Sequence, residues 1–303
     1  MMLRRQKEDL LRINRVTYVG MAINVTLFFA KLYAGIAGRS QALIADAVHS
    51  VSDLATDIAV VIGIRFWAQP ADRNHPYGHA KIETMVTLLI GAALALVAVQ
   101  LIKEGATTLY AIGFKGEKLP VPKVGALYAA LGSIVLKEAL YRWTVKVGRE
   151  TNSSAVIANA WHHRSDALSS IPAALAVGLA LLLGPRMSWL DPAGAIVVAL
   201  MIAYAAWQIA RPAIIILLDA GMNAEQIEKI IALAVDTPGV LDVHQVRTRP
   251  TGSGEFVLDL HIHVDGEATV RAGHDIAETV ARKIVDSPFP VSEVLVHFEP
   301  DRD

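Results

Sequence analysis

Histidine and aspartate recur at one spacing in two separate apolar segments of the chain. His49-Ser-Val-Ser-Asp53 and His162-His-Arg-Ser-Asp166 each place the two side chains four residues apart. In a helix that spacing stacks both side chains on one face. Two such helices that face each other supply two imidazoles and two carboxylates, a ligand set that suits tetrahedral Zn²⁺. We therefore predict a four-ligand metal site made of these residues.

The polar neighbours of these motifs admit more than one role. Asp46 lies three residues before the first histidine and shares its helix face, so it either supports the ligands or carries a proton. His163 points about 100° away from His162 and is predicted not to be a ligand. Asp57 extends the face of the first aspartate by one turn, either along an aqueous path or as a solvated charge. A polar network that only fixes helix packing is the alternative for the paired motifs.

Two further groups of possible ligands lie outside these motifs. In the segment from Gln69 to His79, the residues Asp72, His75 and His79 predict a three-ligand site, with a solvated polar loop as the alternative. The C-terminal part of the chain carries a dispersed group in which alternation brings pairs onto shared strand faces. Its members are His244, His261, His263, His274, His297 and Glu299. Isolated surface histidines are the alternative interpretation of that group.

The elements that position these ligands are predicted to be membrane helices. Hydrophobic residues make up 53% of the 303 residues and charged residues only 19%, against about 25% charged in soluble domains. A membrane span needs about 20 mostly apolar residues. Three uncharged stretches meet this length, at 84–102, 167–185 and 192–210. Three more contain polar residues and are predicted to line the bundle, at 16–37, 42–67 and 121–147. We therefore expect six spans.

The chain after the last span is predicted to be a small α+β domain. Its pattern gives the order α-β-β-α-β, with helices on one face of the sheet. The elements are expected at 223–236, 240–248, 255–264, 269–285 and 291–299. We expect an N-terminal cytosolic segment at 1–15, a transmembrane domain at 16–218 and a cytosolic domain at 219–303. Lys and Arg are more frequent on the side of the two termini, which predicts that both termini are cytoplasmic.

Composition also excludes several classes of protein and site. The formal net charge of −1 argues against nucleic acid as a main partner. The chain has no cysteine, so disulfides, thiolate ligands and cysteine nucleophiles are excluded. A transition-metal site must therefore be built from histidine and carboxylates.

The ordered motifs resemble those of the cation diffusion facilitator family, from about Val16 to Pro300. They are the paired His-x-x-x-Asp motifs, the run His-Pro-Tyr-Gly-His-Ala-Lys81, the run Trp-His-His-Arg-Ser-Asp166 and the histidine-rich tail. The resemblance implies a homodimeric, proton-coupled exporter of divalent transition metals. It also implies six spans in the lipid membrane and a cytosolic metallochaperone-like domain.

The resemblance assigns roles to the residues that match the family pattern. It implies a transport site at His49, Asp53, His162 and Asp166, and a second site in the cytosolic loop at Asp72, His75 and His79. It implies dimer-interface metal sites at His244, His261, His274, His297 and Glu299, where Glu299 replaces the more common aspartate. Lys81 and Asp219 match a charged contact between the membrane and soluble parts.

The predicted function is export of Zn²⁺ from the cytoplasm, across the cell inner (plasma) membrane, in exchange for protons. Zn²⁺ is then the transported ion and also a structural or regulatory ion, and no enzyme activity is expected. Three alternatives stay open at this point. They are an exporter of Fe²⁺ or Mn²⁺, an intramembrane zinc hydrolase and a metal sensor that does not transport.

Overall fold

The structure is a computed structural model that describes residues 2–51, 69, 71–151, 154–251 and 254–301. The chain forms two compact units. One contains Met1–Ala59 and Ile90–Gln208, and the other contains Val60–Leu89 and Ile209–Asp303.

Long apolar helices make up most of the first unit. In chain order the helices up to residue 217 are α1 (Met2–Gly38), α2 (described over 41–51), α3 (Lys81–Lys115), α4 (Val124–Glu150), α5 (Ser154–Ser169), α6 (Ile171–Leu183) and α7 (Leu190–Leu217). Among the described residues, five stretches are long and apolar enough to cross a membrane: Asn14–Gly38, Lys81–Lys115, Val124–Glu150, Asn159–Leu183 and Pro185–Leu217. They correspond to five of the six expected spans. The sixth, at 42–67, is helical as far as residue 51, and its remainder lies outside the described residues.

One predicted span is divided in the structure. The stretch Asn159–Leu183 contains the end of α5, a break at Ser170, and then α6. Pro172 stands in the first turn of α6 and has no N–H to donate to the preceding turn, while the N–H groups of Ser170 and Ala174 still donate to carbonyls four residues earlier. Sequence analysis placed this span at 167–185 because that stretch is uncharged, whereas the helix already includes the charged residues Arg164 and Asp166.

Small residues allow close contacts between the helices of this unit. A methyl group added to Gly38 would meet Ala126 of α4, and one added to Gly194 of α7 would meet Ala176 of α6. Contacts of this kind between small residues are typical of membrane helix packing, where backbone approach replaces the hydrophobic effect as the source of attraction.

The C-terminal domain has the predicted order of elements. It consists of α8 (Ala224–Val235), β1 (Asp242–Pro250), β2 (Phe256–Val264), α9 (Val270–Val285) and β3 (Val291–Pro300). The side chains of Asn223 and Thr269 cap the two helices by accepting hydrogen bonds from backbone N–H groups. The strands form one sheet in the order β1-β2-β3, antiparallel between β1 and β2 and parallel between β2 and β3.

The two faces of this sheet have opposite character, as the alternation in β2 predicted. Leu258, Leu260 and Ile262 are buried against the helices, together with Val280 and Ile284 of α9. The intervening residues of β2, which include the histidines, are only partly buried. The apolar face therefore stabilises the domain and leaves the other face available for ligands.

We expect Leu260→Ala to lower the free energy of unfolding of the isolated domain, residues 221–303, by roughly 2–5 kcal/mol, because it leaves a cavity in a packed core. Leu260 is 1% exposed. Urea unfolding in the presence of a chelator measures the change. The matched control is Leu295→Ala on β3, where the side chain is 64% exposed. Equal destabilisation by both variants would contradict this description of the core.

Candidate metal-binding sites

The structure describes three of the four ligands predicted in the membrane helices. His162 and Asp166 lie one turn apart on α5, and the distance from His162 Nδ1 to Asp166 Oδ1 is 3.8 Å. His49 on α2 lies close enough to Asp166 for an electrostatic interaction. The predicted partner Asp53, and Asp57 after it, lie outside the described residues. The described part of the site thus contains two imidazoles and one carboxylate from two helices.

A buried lysine contacts the carboxylate of this site. Lys137 Nζ on α4 donates a hydrogen bond to Asp166 Oδ2 at 2.6 Å. Both side chains are nearly inaccessible, at 3% and 9% exposed. Lys137 lies within the predicted span 121–147, and the sequence does not give its partner because the rotation of α4 against α5 is not encoded in either segment alone.

A second buried ion pair lies on α1 and α2. Lys31 Nζ is 2.9 Å from Asp46 Oδ2, and it also donates to the hydroxyl oxygens of Ser50 and Ser170. Ser170 in turn donates to Asp46 Oδ1 at 2.9 Å. Asp46 is therefore held by a lysine and a serine. His163, which was predicted to point away from His162, is buried beside Gly20 of α1.

The loop residues Asp72, His75 and His79 come together as expected from their spacing. The distances to the Asp72 carboxylate are 3.2 Å from His75 Nδ1 and 3.5 Å from His79 Nε2. Backbone N–H groups of His75 and Asn74 donate to Asp72 Oδ1. The His75 N–H is the main cause of a lowered pKa of Asp72, so the carboxylate stays ionised and able to bind a cation. Nearby, Lys81 Nζ lies 2.8 Å from Asp219 Oδ1.

Six side chains form two rows across the polar face of the C-terminal sheet. Strand register aligns His244, His261 and His297 in one row. The neighbouring row contains Asp242, His263 and Glu299. The ligand atoms of His244, His261 and Glu299 all lie within 4.8 Å of one another, and so do those of Asp242, His244 and His263.

Glu299 lies at the centre of this cluster. Its carboxylate accepts a hydrogen bond from His261 Nδ1 at 2.8 Å, and His297 Nε2 is 3.4 Å away. His244 and His263 each approach its other oxygen to 3.8 Å. The hydrogen bond from His261 is the main cause of a lowered pKa of Glu299. An ionised carboxylate surrounded by four imidazoles is a suitable ligand set for a transition metal.

Two outcomes in this domain differ from the predicted ligand group. Asp242 was not predicted, yet its Oδ2 lies 3.6 Å from His244 Nδ1 and 3.9 Å from His263 Nδ1. Only the strand register, which sequence alone does not give, places it there. His274 is exposed on α9, and α9 packs on the apolar face of the sheet. Within one chain, His274 therefore does not join the cluster.

The two parts of the chain match two family models. Residues 17–218 match the cation efflux transmembrane domain, and residues 222–301 match the cation efflux protein cytoplasmic domain, a dimerisation domain. Among relatives, manganese efflux system protein MneP of Bacillus subtilis is 32% identical over 94% of this chain and 95% of its own length. Magnetosome protein MamM of Magnetospirillum gryphiswaldense is 31% identical over 88% of this chain and 81% of its own.

Metal tolerance protein C1 of Arabidopsis thaliana is 34% identical over 94% of this chain and 62% of its own length, so the chain spans less than two thirds of that relative. A solved structure of the MamM-CTD is 28% identical over 26% of this chain and 100% of its own length, with a TM-score of 0.25.

We expect Glu299→Gln to weaken Zn²⁺ binding by the C-terminal domain by about tenfold or more, because it removes the negative charge of the carboxylate that the four imidazoles surround. Competition with a chromophoric chelator measures the affinity. Glu293→Gln is the matched control, since Glu293 lies on the same strand, opposite Val257 and away from the histidine rows. Unchanged binding by Glu299→Gln would remove Glu299 from the ligand set.

Proposed function

The chain belongs to the cation diffusion facilitator family of divalent-metal efflux transporters, and we propose that it exports Zn²⁺ from the cytoplasm in exchange for protons. The family consists of transporters, so the chain is not an enzyme, and the intramembrane hydrolase interpretation is set aside. Metal efflux is the activity of the family, whereas zinc and protons are the substrates proposed for this chain.

The single observation that supports this proposal is the pairing of His162 and Asp166 on one face of α5 beside His49 of α2. With Asp53 included, these residues are the proposed transport site. Two imidazole nitrogens make the site softer than one built of oxygen alone, and this favours Zn²⁺ over harder ions. Ionisable residues inside membrane helices are costly, so their presence favours a role in ion movement.

Exchange with protons follows from the chemistry of these ligands. A metal ion needs neutral histidine and ionised aspartate, so protons and metal compete for the same atoms. In a state open to the cytoplasm, the deprotonated site binds the metal. In a state open to the other side, protonation of the histidines promotes release of the metal, and the protonated site then returns.

The other clusters are proposed to bind Zn²⁺ as a structural or regulatory ion. Asp72, His75 and His79 form a loop site, and the rows around Glu299 form a tail site that His274 of a partner completes in a homodimer. We also propose that residues 1–15 and 219–303 are cytosolic, with 16–218 in the membrane. Single cysteines placed near either terminus report this orientation through labelling by an impermeant reagent.

Manganese export is the second candidate, because two relatives are named as manganese efflux proteins. Carboxylate oxygen suits Mn²⁺ better than imidazole does, and Asp46 lies near enough to His49 for an electrostatic interaction. A metal sensor without transport activity is distinguished from both exporters by flux in vesicles.

We expect Asp166→Asn to abolish Zn²⁺ uptake by reconstituted vesicles driven by an outward proton gradient, because the site loses a charged ligand. A zinc-sensitive dye inside the vesicles measures the flux. The control is Asp236→Asn, which alters an exposed carboxylate paired with Lys283 and is expected to leave flux unchanged. Normal uptake by Asp166→Asn would place the transport site elsewhere.

We expect His49→Asp to retain transport and to increase Mn²⁺ flux relative to Zn²⁺, because it replaces a nitrogen ligand with oxygen and adds negative charge. His49→Ala should lose most Zn²⁺ flux without gaining Mn²⁺ flux. A competition assay with both ions in the same vesicles measures the ratio. If His49→Asp keeps the wild-type ratio and His49→Ala transports normally, His49 is not a ligand.

A further inference from the structure

We propose that Lys137 is an internal competitor of the transported metal: its ammonium group occupies Asp166 in the metal-free site, and it lowers metal affinity so that the ion can be released. This inference rests on the proposed function, because it takes Asp166 as a ligand of the transported ion. It assigns this role to a residue outside the His-x-x-x-Asp motifs.

The contact itself supports the first part of this proposal. Lys137 Nζ is 2.6 Å from Asp166 Oδ2, and its side chain is 3% exposed. The other carboxylate oxygen, Oδ1, faces His162 Nδ1 at 3.8 Å. One oxygen of Asp166 is therefore held by an ammonium group, while the other points toward a predicted metal ligand.

The balance of charge explains why metal and ammonium compete. Among the described residues around the site, Lys137 and Lys31 balance Asp166 and Asp46. A dication bound to Asp166 would lie a few ångströms from the ammonium of Lys137. In a low-dielectric interior such like charges repel strongly, and a charge that loses its partner there is costly. We therefore expect metal binding at Asp166 to weaken or break the contact with Lys137, and the ammonium group to favour return to that contact.

Lys31 is a matched buried ammonium without this property. Its Nζ contacts Asp46, Ser50 and Ser170, and Asp46 is not among the four predicted transport ligands. Metal binding at Asp166 thus leaves the Lys31 contacts in place. The two lysines are nearly equal in burial, at 2% and 3% exposed. Comparing a variant of each therefore separates the effect of a competing cation from that of a structural ion pair.

A structural ion pair and a competitor predict opposite changes in affinity. Loss of a structural partner disturbs the site and leaves metal affinity equal or lower. Loss of a competitor increases affinity and slows release, so that KM and kcat of transport both fall. An increase in affinity is therefore the diagnostic result.

The main experiment compares the full chain with its Lys137→Met and Lys31→Met variants. Zn²⁺ binding in detergent is measured with a competing chelator, and the portion lost in Asp166→Asn identifies the transport site. Lys137→Met is expected to bind Zn²⁺ about tenfold or more tightly, since one repelling charge is removed, and to transport it with lower kcat. Lys31→Met is expected to show a smaller gain in affinity, because Lys31 interacts with His49 but does not contact Asp166.

A chemical rescue tests the charge at the same position. The chain has no cysteine, so Lys137→Cys introduces a single thiol. Alkylation with 2-bromoethylamine gives an ammonium group on a side chain of lysine length, and 1-iodopropane gives a neutral side chain of nearly the same shape. The ammonium product is expected to have the lower, wild-type affinity, and the propyl product the higher affinity.

Lys137→Arg is the alternative test if the neutral variants do not fold. It retains the charge, and its planar guanidinium binds a carboxylate through two hydrogen bonds, so Zn²⁺ affinity is expected to fall several-fold. Equal or lower affinity in Lys137→Met, or unchanged affinity in Lys137→Arg, overturns the inference. Absence of Zn²⁺ and Mn²⁺ flux in wild-type vesicles instead contradicts the proposed function, whereas the order of affinities remains measurable.

Discussion

The cost of placing charge in a low-dielectric interior governs the arrangement of the membrane unit. An unpaired carboxylate or ammonium there is strongly unfavourable. The structure meets this constraint by pairing Lys31 with Asp46 and Lys137 with Asp166. Each pair joins two helices, so the contacts that neutralise the charges also fix how those helices are rotated against each other. In the metal-free site, the charge of each carboxylate is therefore compensated by a lysine.

Ser170, at the boundary between α5 and α6, contacts the first of these pairs. Its hydroxyl contacts Asp46 and Lys31, and it lies 3.3 Å from the backbone oxygen of Asp166. Pro172, in the first turn of α6, has no N–H to donate to the preceding turn, while the N–H groups of Ser170 and Ala174 still donate to carbonyls four residues earlier. A backbone interruption inside a span is tolerated where other groups satisfy the freed backbone. At this interruption Ser170 therefore supplies a polar side chain to the pair of Lys31 and Asp46.

The cost of charge is lower in the C-terminal domain, where the charged side chains are in contact with water. Its six aligned side chains lie on a partly exposed sheet face, where hydration lowers the cost of charge and no lysine is needed in the rows. Glu299 is kept ionised mainly by the hydrogen bond from His261. This row arrangement therefore differs from the membrane unit, where the Asp166 carboxylate is held by an ammonium group.

The sequence predicted features that depend on residues close together in the chain, and it did not predict contacts between segments that are far apart in the chain. Local patterns predicted the helix face shared by His162 and Asp166, the α-β-β-α-β order and the two faces of β2. They did not predict the partners of Lys31 and Lys137, or the place of Asp242, because these depend on helix rotation and strand register between distant segments. A charge inside a span calls for an opposite charge nearby, but Lys137 has Glu138 next to it in the same span. Which carboxylate pairs with Lys137 depends on how α4 is rotated against α5, so the contact with Asp166 required the structure.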